Sequence, residues 1–281
     1  MANLPENPEL QRALSTYLSE QGIELAGMAK RAHVNVLTLE AILRGNFSHV
    51  SEADQRRIWH LVKPGTSEKA VIVDTANFSA ITALCTSAKE NQLMVGLIGD
   101  TGLGKTTGLE AYSRRRNVFY VLYQKSMKPR QFFVALCQQL GINYGGSIYE
   151  MVSHAADELN SLENPLVIID EAGKLPVTLL MYLHDLRNRT ERGCGYVLAG
   201  MPYFRQNLVK WVSKQVEGAS EFNRRIQLWQ ELQRPTRSEV KAICALHGIT
   251  EQNTVKNMQG HRDFGNLSNA ILLEKLRLNR A

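Results

Sequence analysis

A glycine-rich run, Gly99-Asp-Thr-Gly-Leu-Gly-Lys105-Thr106, has the clearest chemistry in the chain. It matches G-x-x-x-x-G-K-[ST] at every fixed position, directly after an apolar run and before a helical one. Glycines allow backbone N–H groups to turn inward around a phosphate, and the following helix adds its dipole. Lys105 would supply charge to the β- and γ-phosphates, and Thr106 would ligate Mg²⁺. A turn that only links a strand to a helix is the alternative. The predicted nucleotide-binding residues are Gly99, Asp100, Thr101, Gly102, Leu103, Gly104, Lys105, Thr106 and Thr107.

Two consecutive carboxylates end a second apolar run, Pro165-Leu-Val-Ile-Ile-Asp170-Glu171. We expect Asp170 to hold Mg²⁺ through its water shell and Glu171 to orient and polarise an attacking water. Acidic residues that merely cap a helix after a buried strand are the alternative. The sequence therefore predicts hydrolysis of ATP to ADP and phosphate, with Thr106 and Asp170 at the metal and Lys105, Asp170 and Glu171 in catalytic roles.

These residues must be positioned by an α/β domain. From about residue 71, four short apolar runs (LMVGLIG, VFYVLY, PLVIID and GYVLAG) are separated by helical stretches, and QLWQEL is a candidate final strand. Apolar runs of this kind predict a parallel sheet that is buried on both faces. We expect this core to span residues 71–235 and to be followed by a small helical lid over residues 236–281.

The first 62 residues have a different, purely helical pattern. Four amphipathic stretches predict a compact unit, and two short helices joined by a tight turn predict a helix-turn-helix. Asn35 is a candidate N-cap and Gly45 a candidate helix stop. Residues 63–70, rich in Pro, Gly, Thr and Ser, predict a linker. The expected core positions are Ala26, Met28, Val34, Leu39 and Ile42.

The length and composition of the chain exclude several classes of protein. A chain of 281 residues with 44% hydrophobic residues is not intrinsically disordered and suggests about two domains. No apolar run approaches the roughly 20 residues needed to span a membrane, and the N-terminus does not resemble a signal peptide, so we expect a cytoplasmic protein with no membrane partner. Cys85, Cys137, Cys194 and Cys244 lack metal-ligand spacing and are expected to be reduced core residues.

The segments GDTGLGKT, LVIIDEAGKL, GYVLAGMP and EFNRRI, followed by a helical lid, resemble AAA+ P-loop ATPases. With the N-terminal helix-turn-helix, the linker and TRSEVKAICALHGI, nearly the whole chain is similar to the MuB-like family of transposition target-selector ATPases. The resemblance implies a bacterial or phage-encoded protein that binds ATP and Mg²⁺. It also implies assembly as a homo-oligomeric helical filament on double-stranded DNA, with weak sequence preference, and the recruitment or stimulation of a transposase.

The resemblance further implies an arginine finger that completes a neighbouring subunit's site, for which Arg225 is preferred and Arg224 is second. A solvated basic pair at a helix end is the alternative. Two positions depart from the family pattern. Met201 replaces a polar residue that contacts the γ-phosphate or the water, and Gly265 stands where a second sensor arginine is common, with Arg262 as a possible substitute. Both departures predict slow hydrolysis.

The positive charge is concentrated in one segment. Residues 114–130 contain six basic and no acidic residues, which leaves 27 basic and 27 acidic residues in the rest of the chain. Arg114 to Arg116 would close a helix, where cations meet its C-terminus favourably. We expect Lys125, Lys128 and Arg130 to contact DNA phosphates, without sequence readout and with strong salt dependence.

The sequence also allows other roles for the helix-turn-helix and two other functions for the whole chain. The helix-turn-helix could contact a transposase, assist DNA binding or recognise a specific sequence. The ATPase core could instead belong to a loader of a replicative helicase or to another remodeller of DNA machines. A nucleotide-gated transcription regulator built around the helix-turn-helix is a third hypothesis.

Overall fold

A computed structural model describes residues 7–21, 23–62, 73–190 and 193–278 of the chain. Contacts divide the chain into two units, residues 1–72 with 137–143, and residues 73–136 with 144–281. The predicted linker, residues 63–70, lies outside the described residues. The predicted domain boundaries stay predictions.

The described residues in the N-terminal part of the first unit form four helices, α1 (Asn7–Gln21), α2 (Leu25–Ala32), α3 (Val36–Leu43) and α4 (Glu52–Val62). Asn35 caps α3 as predicted, because its side chain accepts a hydrogen bond from the backbone N–H of Leu37 at 3.0 Å. Gly45 ends α3 as predicted, with φ +74°. Its N–H donates to Ile42 O, the bonding expected of a left-handed helix cap.

The core of the first unit corrects one prediction. Met28, Leu39 and Ile42 are fully buried, and Val34 packs against them in part. Ala26 is exposed, so its placement in the core was wrong. The buried face of α2 instead carries residues 28, 29 and 32, and a residue two positions before Met28 points away from that face because a helix turns about 100° per residue. The use of this unit as a DNA-binding helix-turn-helix stays a prediction.

The second unit is built on a parallel sheet of five strands in the order β2-β3-β4-β1-β5. Every residue of the three central strands is buried, as the apolar runs predicted. The edge strands β2 and β5 are only partly covered, because each has a neighbour on one side alone, and they expose Leu122 and Leu228. The strands are β1 (Met94–Ile98), β2 (Val118–Leu122), β3 (Leu166–Asp170), β4 (Gly195–Gly200) and β5 (Ile226–Glu231).

Helices alternate with these strands, and a short 3₁₀ turn over Ala172–Lys174 follows β3. The helices between Val73 and β5 are α5 (Ala76–Glu90), α6 (Lys105–Ser113), α7 (Pro129–Gln139), α8 (Ile148–Ser161), α9 (Val177–Arg189), α10 (Tyr203–Ser213) and α11 (Ala219–Arg225). Apolar residues of α5 and α6 form one buried cluster with residues of the sheet. This packing fixes the start of α6 at the carboxyl end of β1.

Three helices follow β5, in the region where the sequence predicted a helical lid: α12 (Arg237–Leu246), α13 (Gln252–Met258) and α14 (Phe264–Leu278). They share a small apolar core that includes Val240, Cys244 and Leu267. Thr236 and Glu239 form a reciprocal capping box that fixes the start of α12. In the part of the chain that the structure describes, no helix combines the length and apolar character needed to cross a membrane.

All four cysteines are buried, as the sequence predicted for core residues. Burial raises the pKa of the Cys85 and Cys194 thiols to about 12, because a thiolate is poorly solvated in the core. These cysteines therefore serve packing rather than nucleophilic chemistry.

Candidate functional site

The sheet topology brings three distant segments together. Strand β4 lies between β3 and β1, and all three run parallel. The segments that follow these strands therefore meet at the carboxyl end of the sheet, where open α/β sheets bind ligands. These segments carry the loop Gly99–Gly104, the pair Asp170–Glu171, and Met201.

The loop between β1 and α6 has the backbone conformation that its glycines predict. Gly102 and Gly104 have φ values of +79° and +86°, in the left-handed region where a side chain is disfavoured. A Cβ atom on Gly102 would also lie only 2.5 Å from Oδ1 of Asp263. The loop therefore keeps a shape in which its backbone, rather than side chains, faces a ligand.

Lys105 begins α6 and is 8% exposed. Its Nζ donates hydrogen bonds to Gly99 O at 2.7 Å and to Asp100 O at 2.8 Å. Burial lowers the pKa of Lys105, while the negative charges of nearby carboxylates, Asp170 foremost, act to raise it. The two carbonyl bonds hold the ammonium group at the loop, where a phosphate would meet it.

Asp170, at the end of β3, is fully buried and accepts hydrogen bonds at both carboxylate oxygens. Its Oδ2 accepts from Thr106 Oγ1 at 2.7 Å and from Tyr120 Oη at 3.0 Å. Its Oδ1 accepts from the backbone N–H of Glu171 at 2.8 Å. Hydroxyl and carboxylate oxygens are ligands that Mg²⁺ prefers, so this donor set fits the predicted metal site.

Tyr120 was not singled out from the sequence, because a tyrosine within the apolar run VFYVLY is typical of a core strand. Burial raises the pKa of Tyr120, and the negative charge of Asp170 raises it further. The phenol therefore stays protonated and donates to the Asp170 carboxylate. The signal that could have identified Tyr120 is its hydroxyl group, which lies on β2, the strand next to the one that ends in Asp170.

Glu171 follows Asp170 in the left-handed region, with φ 59° and ψ 30°. This conformation costs a residue other than glycine on the order of 1 kcal/mol. The carboxylate forms an ion pair with Lys174 Nζ at 3.0 Å, and this contact raises the pKa of Lys174. Sequence reasoning missed Lys174, although its spacing of three residues from Glu171 suits the 3₁₀ turn that joins them.

A cavity of about 390 Å³ lies over these residues. Six of the nine predicted nucleotide-binding residues line it together with Glu171, Met201 and residues of α14. Leu103 is not part of this lining, because its side chain is buried in the core, and its contact with the nucleotide stays a prediction. The full lining is Thr101, Gly102, Gly104, Lys105, Thr106, Thr107, Glu171, Lys174, Met201, Tyr203, Phe264, Gly265 and Ser268.

Asn77, on α5, is a second residue that sequence reasoning missed. It is buried, and its Nδ2 donates to Leu103 O at 3.1 Å and to Gln233 O at 2.8 Å. Its Oδ1 accepts from Gln233 N at 3.0 Å. Asn77 thus connects the phosphate loop to the segment that leads from β5 into α12. A buried asparagine inside a helix gives little sequence signal, because its partners lie far along the chain.

The start of α14 is bonded directly to the loop. The N–H groups of Phe264 and Gly265 both donate to Gly102 O, at 2.8 and 3.2 Å. Met201 and Gly265, the two residues at which the sequence predicted missing sensor side chains, both line the cavity. Neither offers a side-chain hydrogen-bond donor, because a thioether only accepts weakly and glycine has no side chain. Arg262 is exposed and is not part of the lining, so the structure does not bring it to the site.

Arg224 and Arg225 end α11, directly before β5. Arg225 Nη2 donates to Asn188 Oδ1 at 2.7 Å, on α9. Neither arginine lines the cavity of its own chain. The structure therefore does not bring the two predicted finger residues to the site of the same subunit.

Strand β2 divides the basic segment into two clusters. Its five residues, at about 3.3 Å each, span roughly 16 Å between Arg114–Arg116 and Lys125. Arg114 is the C-cap of α6, as predicted, and the Arg115 guanidinium lies 4.4 Å over the Tyr112 ring. The concentrated charge is therefore presented as two surfaces, one at each end of β2.

The cluster after β2 is the one predicted to contact DNA. Lys125 and Lys128 are exposed, and within the described residues no carboxylate forms an ion pair with either of them. Arg130 is also exposed, but its guanidinium donates to the carbonyl oxygens of Gly145 and Gly146. The two lysines therefore have their full charge available for an external partner, whereas Arg130 also braces its own chain.

Residues 88–208 match the family model described as an AAA domain. Among solved structures, the ORC2 protein of Aeropyrum pernix, in ADPNP-ADP complexes, is similar with a TM-score of 0.54 at 16% identity, over 72% of this chain and 62% of that chain. The ORC1 protein of Aeropyrum pernix, in complex with DNA, is similar with a TM-score of 0.54 at 15% identity, over 73% and 60%. The chain spans about three fifths of the length of these two proteins. No curated protein matches the sequence. The fold is thus that of the AAA+ α/β domains.

Proposed function

We propose that this chain, in which residues 88–208 match the AAA-domain model, is an ATP-dependent, largely sequence-nonspecific DNA-binding ATPase. It oligomerises as a helical filament on double-stranded DNA, selects target sites and recruits or stimulates a transposase. One observation carries the nucleotide part of this proposal. Lys105, Thr106 and Glu171 line a single cavity, and Asp170 contacts Thr106 at its floor.

The site residues divide the work of hydrolysis. The Lys105 ammonium would lie against the β- and γ-phosphates, and Thr106 and Asp170 would hold Mg²⁺, which would neutralise charge on those phosphates. Glu171 accepts a proton from the attacking water. The water oxygen bonds to the γ-phosphorus, and the bond to the β–γ bridging oxygen breaks, with its electron pair leaving on ADP.

Slow turnover follows from the same cavity. Met201 and Gly265 face it without a side-chain donor, so fewer groups stabilise charge that develops on the γ-phosphate. A slowly hydrolysing subunit suits a filament that must persist on DNA in its ATP-bound form.

The DNA part of the proposal draws on charge and on the relatives. Lys125 and Lys128 are exposed basic residues at the carboxyl end of the sheet, and one of the similar solved structures is a protein in complex with DNA. Lysines bind DNA phosphates as point charges, without reading the bases. We therefore assign Lys125 and Lys128 the main phosphate contacts and give Arg130 a supporting part.

The first unit offers a surface for the transposase. Leu37, on α3, is 68% exposed, and the Arg44 side chain at the end of this helix is also exposed. Residues 1–70 contain eight basic and eight acidic residues, so this unit has no excess charge that would favour DNA. An exposed leucine on a unit without net charge favours a protein partner.

Replacing Lys125 and Lys128 together with alanine should weaken binding to every duplex sequence. Loss of two phosphate contacts should lower the slope of log K against log[salt] by about 1.8. Fluorescence anisotropy with labelled duplexes over a salt series measures this slope. The control replaces Arg114 and Arg115 with alanine, at the other end of β2, and should leave the slope unchanged. An unchanged slope in the lysine variant would remove these residues from the DNA contact.

Arg225→Ala should reduce ATP hydrolysis on the order of 10³-fold while nucleotide binding is retained, because an arginine finger acts in the neighbouring site. Phosphate release is measured against protein concentration. Mixing this variant with Lys105→Ala should restore hydrolysis, since each supplies the part that the other lacks. Arg224→Ala is the matched comparison and should hydrolyse normally. A lack of restoration in the mixture contradicts a finger that acts between subunits.

Electron microscopy with duplex DNA of arbitrary sequence and ADPNP tests the proposed function as a whole. Continuous filaments that require the nucleotide are expected. Discrete rings that form only with a helicase would favour a loader, and binding to one operator sequence would favour a transcription regulator. Either of these two results would overturn the proposal.

A further inference from the structure

The buried carboxylate of Asp170 is held by donors from three parts of the fold. Thr106 belongs to the start of α6, and the N–H of Glu171 belongs to the chain directly after β3. Tyr120 belongs to β2, which contributes no residue to the phosphate loop. A carboxylate has about four lone-pair positions, so these donors occupy three of them.

The register of the sheet explains how Tyr120 reaches this position. Tyr120 pairs with Ile168 of β3, and Asp170 lies two residues further along that strand. Residues two apart on a strand share a face, so Ile168 and Asp170 point to the same side of the sheet. The Tyr120 ring packs against the core cluster on that side, and its Oη extends to Asp170 Oδ2 at 3.0 Å.

A bound cation would affect the hydrogen bonds of Thr106 and Tyr120 to Asp170 differently. Thr106 Oγ1 would itself be a metal ligand in the proposed site, where it would direct a lone pair toward the cation. Tyr120 Oη is bonded to Asp170 and is not part of the cavity lining. The hydrogen bond from Tyr120 to Asp170 Oδ2 could therefore persist if the Thr106 hydroxyl turned toward a bound cation.

We propose that Tyr120 is a positioning residue for the divalent-cation site, in which its hydroxyl fixes the orientation of the Asp170 carboxylate. This inference rests on the proposed Mg²⁺-nucleotide site. Groups that orient metal-binding residues in this way typically account for a 10- to 100-fold difference in metal affinity, so about a tenfold effect is expected here.

The variant Tyr120→Phe isolates the hydroxyl, because it keeps the ring and its packing in the core. The affinity for ADP is measured by isothermal titration calorimetry in EDTA and over a Mg²⁺ series. The Mg²⁺ concentration that gives half of the Mg²⁺-dependent gain in ADP affinity should rise about tenfold. The ADP affinity in EDTA should stay at the wild-type value, since no hydroxyl contact to the nucleotide is lost.

Tyr123→Phe is the matched control. Tyr123 follows β2 and is buried, whereas Tyr120 is partly buried, and the Tyr123 hydroxyl donates to Met127 O at 3.0 Å, away from Asp170. It should show the wild-type dependence on Mg²⁺.

Three outcomes would overturn the inference in different ways. A wild-type Mg²⁺ dependence in Tyr120→Phe contradicts a positioning role. An equal loss of ADP affinity with and without Mg²⁺ shows a general structural role instead. A wild-type protein whose ADP binding does not respond to Mg²⁺ contradicts the proposed metal site itself, and with it this inference.

Discussion

Lys105→Ala is expected to weaken ATP and ADP binding roughly 10- to 100-fold. A hydrogen bond to a charged group contributes about 1.5–3 kcal/mol, and 1.4 kcal/mol corresponds to a factor of ten. The ammonium group is buried at the loop that would surround the phosphates, so its loss leaves their charge without this partner. Isothermal titration calorimetry measures the affinity, and DNA binding that requires ATP should be lost as well.

The control for this prediction is Lys210→Ala, which removes a lysine that is exposed on α10 and does not line the cavity. It should bind nucleotide like the wild type. Nucleotide affinity that is equal in Lys105→Ala and the wild type would place the phosphates elsewhere. Thermal unfolding of the variant without nucleotide verifies that the fold is retained.

Glu171→Gln is expected to retain nucleotide binding and to lower hydrolysis by roughly 10²- to 10⁴-fold, the usual contribution of a general base. Glutamine keeps the size of the side chain but cannot accept the proton of the attacking water. Because hydrolysis disassembles the proposed filament, the variant should remain on DNA after ATP is added. Phosphate release and the lifetime of the DNA complex are the two measurements.

Glu163→Gln is the matched control, since Glu163 precedes β3 and Glu171 follows it. Glu163 is exposed, and this change should affect neither measurement. The Glu171→Gln change also removes the charge that pairs with Lys174. Hydrolysis at the wild-type rate, or normal disassembly, would remove Glu171 from its assigned role.

The sequence could predict the parts of the site that depend on fixed local spacing. The loop of Gly99–Gly104 needs glycines at set positions, and Asp170 ends an apolar run of the length of a strand. Parallel strands then bring both to one edge of the sheet without further information. For this reason the phosphate loop and the acidic strand lie where the sequence predicted them.

The parts that the sequence could not predict depend on contacts between distant residues. Tyr120 contacts Asp170 across 50 positions, and Asn77 contacts Gln233 across 156 positions. No local pattern distinguishes Asn77 from its neighbours in α5, and the hydroxyl group of Tyr120 becomes informative only once β2 is placed beside β3. Ala26 shows a different limit, since the helical period alone did not show which face of a short helix is buried.

The placement of the basic residues on the surface also depends on the fold. The sequence places six of the basic residues in one segment, 114–130. The fold directs the two ends of this segment to opposite ends of β2. Of the two clusters, the one with Lys125 and Lys128 lies at the same end of the sheet as the proposed nucleotide cavity. We expect this cluster to couple ATP binding to DNA binding.

The most direct test of the account is the release of phosphate from ATP by the wild-type protein, with and without duplex DNA, using Lys105→Ala as the baseline. Slow, Mg²⁺-dependent release is expected, which DNA accelerates and which is reduced to background in the variant. Phosphate release by the wild type that does not exceed the Lys105→Ala baseline, under conditions where the wild type binds ATP and DNA, would contradict it.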